Sequence, residues 1–194
     1  CLAGGVALNS VANARILRET PFDEIYIQPS AGDGGGALGA ALYAWHCGLG
    51  NQQRFVMEHA YWGKEYGNDD IVAAANAVGV KAQYVGDESK LVETVVDRLV
   101  TGKVAAWFQG RFEWGPRALG NRSIIADPRN PETKDLVNTK IKFREPFRPF
   151  APAILSEFVR KVFKNNESSI FMEKALKIKQ SYRNKIPAVV HRDG

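Results

Sequence analysis

Apolar positions in the first fifty residues come in short blocks separated by glycine. Cys1, Leu2 and Ala3 read as a strand end and Gly4-Gly5 as a turn, while Leu8, Val11, Ala12, Ile16 and Leu17 recur at helical spacing. That spacing predicts a helix over residues 6–19, closed by Pro21. Residues 24–28 predict a short strand, and the small apolar residues 37–46 predict a helix buried closely against a sheet. Residues 48–67 are aromatic and turn-rich, a linker laid over one of its neighbours. Helical periodicity then returns over residues 69–77, a short strand ends at Val85, and Leu91, Val92, Val95, Val96 and Leu99 give residues 88–100 a helix with a core-facing stripe, stopped by Gly102.

The apolar run 104–108 predicts a buried strand of a parallel sheet, which empties into a loop holding Gly110, Gly115, Gly120, Pro116 and three arginines, Arg111, Arg117 and Arg122. Glycines let a backbone turn or approach a ligand, and guanidinium forks match phosphate or carboxylate oxygens, so the loop predicts a small-anion site. A strand over 123–126 and a helix over 132–142 follow, the helix opened by Pro131. The next stretch, 143–155, alternates Phe143, Phe147 and Phe150 with Pro146, Pro149 and Pro152, a stiff support that holds Lys142, Arg144 and Arg148 as a second set of cations. A short helix over 157–163, a polar loop over 164–169 and a last strand over 186–191 complete the reading. Throughout, strands alternate with helices, which makes the chain α/β.

Two glycine-rich turns invite a ligand reading. In Gly4-Gly5 with Asn9 one turn on, free N–H groups could face an anion and the amide a sugar or base, or the turn could serve packing alone. Gly34-x-Gly36-x-x-Gly39 has the dinucleotide spacing, but Pro29 and a five-residue loop separate it from the strand, and Asp33 would crowd a pyrophosphate. Asp33 suits a metal, a hydroxyl or the cap of the following helix.

Charge sharpens the picture. The 194 residues carry a formal +5, but residues 1–100 hold 7 Lys/Arg against 12 Asp/Glu and residues 101–194 hold 19 against 9. The basic half suits phosphorylated small molecules, and its rigid prolines argue against nucleic acid, whose binding would need a tracking surface. Neither a long apolar run nor a charged leader points to a membrane. Two cysteines without metal spacing suit a reducing, cytoplasmic compartment, and a start at Cys1 instead of Met predicts a piece of a longer chain.

Four segments carry a resemblance: GGVALN (4–9), SAGDGGGALGAA (30–41), QGRFEWGPRALGNRS (109–123) and KFREPFRPFAP (142–152). Together they resemble the NodU/CmcH family of O-carbamoyltransferases over most of the chain. The resemblance implies the C-terminal end of an actin-like (ribonuclease-H-like) ATPase domain over residues 1–50, a linker over 51–69 and, over 70–194, a truncated YrdC-like α/β domain with a twisted mixed sheet. It further implies an enzyme that forms a carbamoyl-adenylate from carbamoyl phosphate and ATP and passes the carbamoyl group to a hydroxyl of a sugar or antibiotic-like acceptor. By the same resemblance Arg117, Lys142 and Arg148 bind carbamoyl phosphate, supported by Arg111, Asn121 and Arg144. Gly4, Gly5, Asn9, Gly34 and Gly35 would surround the nucleotide, and Asp33 would be a ligand to iron or a similar divalent metal. The family's metal histidines have no counterpart here, so the chain alone is expected neither to hold metal nor to complete the transfer. Partners implied are small-molecule substrates, with no nucleic acid or membrane and with a homodimer left open. The alternatives are a nicotinamide-dependent dehydrogenase and a nucleotide- or nucleic-acid-binding α/β module without catalysis.

Overall fold

A computed structural model describes residues 1–164 and 169–192 of the chain. Among these residues the chain forms seven α-helices and one two-stranded sheet. In order they are α1 Ser10–Glu19, α2 Gly35–Tyr43, α3 Asn68–Ala77, α4 Glu88–Val100, β1 Ala105–Phe108, β2 Arg122–Ile125, α5 Thr133–Leu136, α6 Val159–Val162 and α7 Gln180–Arg183.

The first helix starts later than its apolar spacing predicts, because Asn9 caps it. The Asn9 side-chain oxygen accepts the Ala12 N–H at 3.1 Å, and residues Gly5–Leu8 form a separate 3-10 turn. An asparagine that would be costly inside a helix is favourable at its start. In α4 the predicted bounds hold. Asp87 accepts the Lys90 N–H at 3.1 Å at one end, and Gly102, at φ 82°, turns the chain away at the other.

Several expectations are overturned. The sheet is antiparallel, with Ala105 opposite Ile125 and Phe108 opposite Arg122. The two strands are joined by a loop and not by a crossover helix, so the second has to run back along the first. Residues 24–28 contribute only an isolated parallel bridge between Leu2 and Ile27, and no strand ends at Val85. The predicted buried helix is α2, which is shorter, continues as a π-turn over Ala44–Gly48 and buries none of its residues. The helix over 132–142 is divided into α5 and a π-turn over Val137–Ile141, and the one over 157–163 into a 3-10 turn and α6. Residues 187–189 form a 3-10 turn where a strand was predicted. Residues 165–168 of the polar loop, and residues 193–194, lie outside the described set.

The core is correspondingly small and divided. Ala7, Ile27 and Ala31 pack with Leu2, Leu8 and Ile25 near the N-terminus, and Val162, Phe163 and Ile178 pack with Ile154, Leu176 and Ile186 near the other end. The stripe on α4 does not belong to either: Leu91, Val92 and Val96 are exposed. The chain presents 13,851 Å² to solvent, whereas a closed globule of its mass exposes ~9,100 Å².

Among the contacts that join the N-terminal segment to the basic half is one between two loops. Trp114 donates its indole N–H to the Gln28 side-chain oxygen at 3.1 Å, and Gly115, at φ 102°, lies against the Pro29 carbonyl. A Cβ at position 115 would sit 2.7 Å from that oxygen, so both backbone conformation and space require glycine. Gly115→Ala is therefore expected to lower the unfolding free energy by about 2 kcal/mol or more in urea titrations; an unchanged midpoint would show that the two loops do not meet.

Candidate anion-binding site

The loop between β1 and β2 is organised by a residue that motif reading passes over. Glu113 is buried, its side chain 0% exposed, and its carboxylate collects four donors. Oε1 accepts the backbone N–H groups of Leu119 at 2.9 Å, Asn121 at 2.8 Å and Arg122 at 3.1 Å, while Oε2 accepts Arg122 Nε at 2.7 Å. Burial pushes the Glu113 carboxyl upward in pKa, but the hydrogen bonds from Leu119, Arg122 and Asn121 outweigh it, and the net shift is below the ordinary glutamate value. Outside this knot, residues 60–66 run along the loop: Gly63 N–H donates to Phe112 O at 2.9 Å and Phe112 N–H to Lys64 O at 3.1 Å. Tyr66 meets Phe108 and Phe112 edge-on beside them, and those two rings pack at a tilt.

This frame fixes what each loop arginine does. Arg122 is spent on Glu113, on the Gly115 carbonyl at 3.0 Å and on the face of Phe112. Arg111 is exposed and donates to Gly63 O at 3.0 Å, with Glu65 at 3.9 Å. Asn121 is buried, donating to Arg111 O at 2.8 Å and accepting from Gln109 at 3.3 Å. Arg117 is half-buried and donates to Leu8 O, a short hydrogen bond that ties the loop to the N-terminal turn. Burial lowers its pKa, and the nearby Glu173 carboxylate offsets part of the effect. Glu173 itself is brought there by Asn13, whose buried amide donates to both Ala7 O and Glu173 O, at 2.8 and 2.9 Å.

The second set of cations hangs from a second buried polar side chain. Asn138 is 0% exposed. Its amide nitrogen donates to Pro146 O at 3.2 Å and Arg148 O at 2.9 Å, and its side-chain oxygen accepts Arg144 Nε at 2.6 Å. Lys142, Arg144 and Arg148 are thereby gathered on one loop. The Lys142 ammonium is pushed below the ordinary lysine value by desolvation and by the charges of Arg144 and Arg148; Arg144 is lowered by burial and by Arg148, against a smaller opposite effect of Glu145. Like charges held this close favour an anion between them. Arg144 also lies over the Phe150 ring at 4.8 Å, and Arg148 has Glu145 at 3.8 Å. Of the three phenylalanines predicted to anchor this stretch only Phe150 is half-buried; Phe143 and Phe147 are 84% and 72% exposed, so the fixing is done by Asn138 and the prolines. An open groove beside the cations is lined by Thr139, Phe143, Arg144 and Glu145.

The N-terminal candidates sit apart from these cations in sequence and carry turn roles. Gly4 N–H donates to Ala31 O at 2.7 Å, Gly5 is exposed, and Asn9 is committed to its cap. Gly34 lies over the Ser30 hydroxyl, and a Cβ at Gly35 would overlap the Ser30 carbonyl oxygen. Asp33 is exposed and its carbonyl accepts the Gly36 N–H at 3.0 Å. Among the described residues no three His, Cys, Asp or Glu side chains gather as a metal site. No helix among them is long and apolar enough to cross a membrane.

A mixed α/β unit carrying two cation-bearing loops, each hung from a buried polar side chain, is the class of protein that fold and site define. The chain belongs to the carbamoyltransferase family: a family profile described as carbamoyltransferase C-terminus matches residues 96–194, and one described as carbamoyltransferase N-terminus matches residues 1–42. It is 49% identical over 89% of its length to an uncharacterized protein of Synechocystis, covering 29% of that protein. It is 38% identical over its whole length to nodulation protein NolO of Bradyrhizobium diazoefficiens and 36% identical to nodulation protein U of Sinorhizobium fredii, covering 36% and 32% of them. The chain thus spans about a third of the length of these relatives.

Glu113→Gln keeps the shape and removes the charge, and is expected to cost about 2–3 kcal/mol at neutral pH. Because folding lowers the Glu113 pKa, its contribution is present above the ordinary glutamate value and is lost as pH falls through the lower folded one. Urea titrations from neutral pH to about pH 3 should show the gap between wild type and variant closing below about pH 4; a gap that stays constant would mean Glu113 is not ionised in the fold.

Proposed function

We propose that the chain supplies the carbamoyl-phosphate-binding part of an O-carbamoyltransferase. The observation that carries the reading is the cluster of Lys142, Arg144 and Arg148 on the loop fixed by Asn138, beside an open groove. In this reading Lys142 and Arg148 hold the phosphate oxygens, with Arg144 in support, and Arg117 joins them when ligand draws it from the Leu8 carbonyl. Arg111 and Asn121 keep the first loop in shape behind them. Residues 1–50 belong to an actin-like ATPase domain and residues 70–194 to a YrdC-like domain, with 51–69 between.

The chemistry assigned to the whole protein begins with carbamoyl phosphate and ATP. Bond accounting requires that the carbamoyl–phosphate linkage break with water to release inorganic phosphate, and that a carbamate oxygen then displace pyrophosphate from ATP to give the carbamoyl-adenylate. A hydroxyl of a sugar or antibiotic-like acceptor attacks the carbonyl carbon and AMP leaves. A fixed cationic loop favours the first step, because charge accumulates on the departing phosphate oxygens and preorganised donors stabilise it without reorienting. In this reading Gly4, Gly5, Asn9, Gly34 and Gly35 would surround the ATP in the whole protein.

Titration calorimetry of carbamoyl phosphate into the full-length protein is expected to show binding that Arg148→Ala weakens about tenfold or more. Equal affinity in the two proteins, or none in the wild type, would remove the cationic loop from the reaction.

A further inference from the structure

Lys142 closes the π-turn at φ −94°, and Phe143 follows it in the left-handed region at φ 47°. Lys142 N–H donates to Val137 O and Arg144 N–H to Asn138 O, both at 2.9 Å, so the backbone on either side of Phe143 is pinned. A left-handed residue just past a helical turn is the position where glycine is favoured, because a Cβ there crowds the preceding peptide. A phenylalanine raises the energy of this turn, and with its ring 84% exposed it recovers nothing by burial within the described chain. Conformational strain without a packing return, at the rim of a groove, is the mark of a side chain kept for what it touches in the bound state.

The groove shows what that is. Phe143 lines it with Thr139, Arg144 and Glu145, and the Thr139 hydroxyl is already donating to Asp135 O at 2.7 Å. The groove thus holds the ring together with one cation, Arg144, and one carboxylate, Glu145. We infer that Phe143 is a specificity residue that packs its ring face against the planar carbamoyl group, while Arg144 and its neighbours hold the phosphate and Glu145 accepts the carbamoyl N–H. This rests on the carbamoyl phosphate reading above and adds to it the part of the ligand that a cationic loop alone does not recognise. Inorganic phosphate shares the anionic end and lacks the planar one, so the two probes separate the two contributions.

The test uses Phe143→Gly and Phe143→Leu in the full-length protein, with calorimetry on carbamoyl phosphate and on inorganic phosphate and with thermal melting of each variant. Phe143→Gly relieves the strained turn and is expected to melt about 2 °C or more higher than wild type. It should nevertheless bind carbamoyl phosphate about fivefold more weakly, with phosphate affinity unchanged and Phe143→Leu between the two. Carbamoyl phosphate binding equal to wild type, an equal loss for both probes, or a lower melting temperature would each overturn the assignment, the last because it would give the ring a packing role. If wild type binds neither probe, the failure is that of the carbamoyl phosphate reading; if it binds both and Phe143→Gly does also, only the role of Phe143 falls.

Discussion

A carboxylate removed from water must be met by donors, and the shape of the first basic loop follows from how Glu113 meets them. Taking the charge out of solvent costs several kcal/mol, and each hydrogen bond to a charged group returns about 1.5–3 kcal/mol. Four donors therefore roughly cancel the cost, and the net gain is geometric: Leu119, Asn121 and Arg122 are held at one point, with thirteen residues between β1 and β2 folded around it. That knot ties Arg122 to Glu113 and to the Gly115 carbonyl and leaves Arg117 to reach the N-terminal turn. It also presents Trp114 and Gly115 to residues 28–30, one of the contacts through which the two differently charged halves of the chain meet.

The same logic recurs at Asn138 with a neutral group. An amide offers two donors and an acceptor in fixed directions, and Asn138 uses them on Pro146, Arg148 and Arg144, so one buried side chain sets the spacing of the loop that bears the cations. Burial first, and then the neighbouring charges of Arg144 and Arg148, lower the Lys142 pKa, so bringing the three together costs electrostatic energy. The loop is built against that repulsion, and an anion relieves it. Phe143 adds a second stress at the same place, of backbone instead of charge, and strain concentrated where a ligand would sit is how a site is kept ready at the expense of stability.

How much of this could be read from residue order depended on whether the cause was local. Capping and periodicity are local, so α4 appeared with its predicted bounds, and the loops at 109–121 and 143–150 stood out by their glycines, prolines and arginines. Asn9 shows the limit even of local reading: apolar spacing extended the helix past a residue whose own chemistry marks the start. Strand direction is not local. The run 104–108 looked like a parallel strand because its residues are apolar, whereas its direction was decided by the connection that follows. The apolar stripe of α4 promised a core that the described residues do not supply. Glu113 and Asn138 were the costliest omissions. An acidic residue amid arginines, and an asparagine in the middle of a helical run, are each unfavourable locally, and that local cost was the available signal that a tertiary partner repays it.

The arginine loop is preformed around Glu113 before any ligand arrives. Native-state hydrogen exchange on the ligand-free protein tests it most directly, through the backbone amides of Leu119, Asn121 and Arg122. If the carboxylate holds them, the Leu119 and Asn121 amides exchange slowly and together with that of Arg122 at the start of β2, opening with the same free energy as the strands although they lie in a loop. Exchange of Leu119 and Asn121 at the rate of an open loop, with the strands still protected, would contradict it.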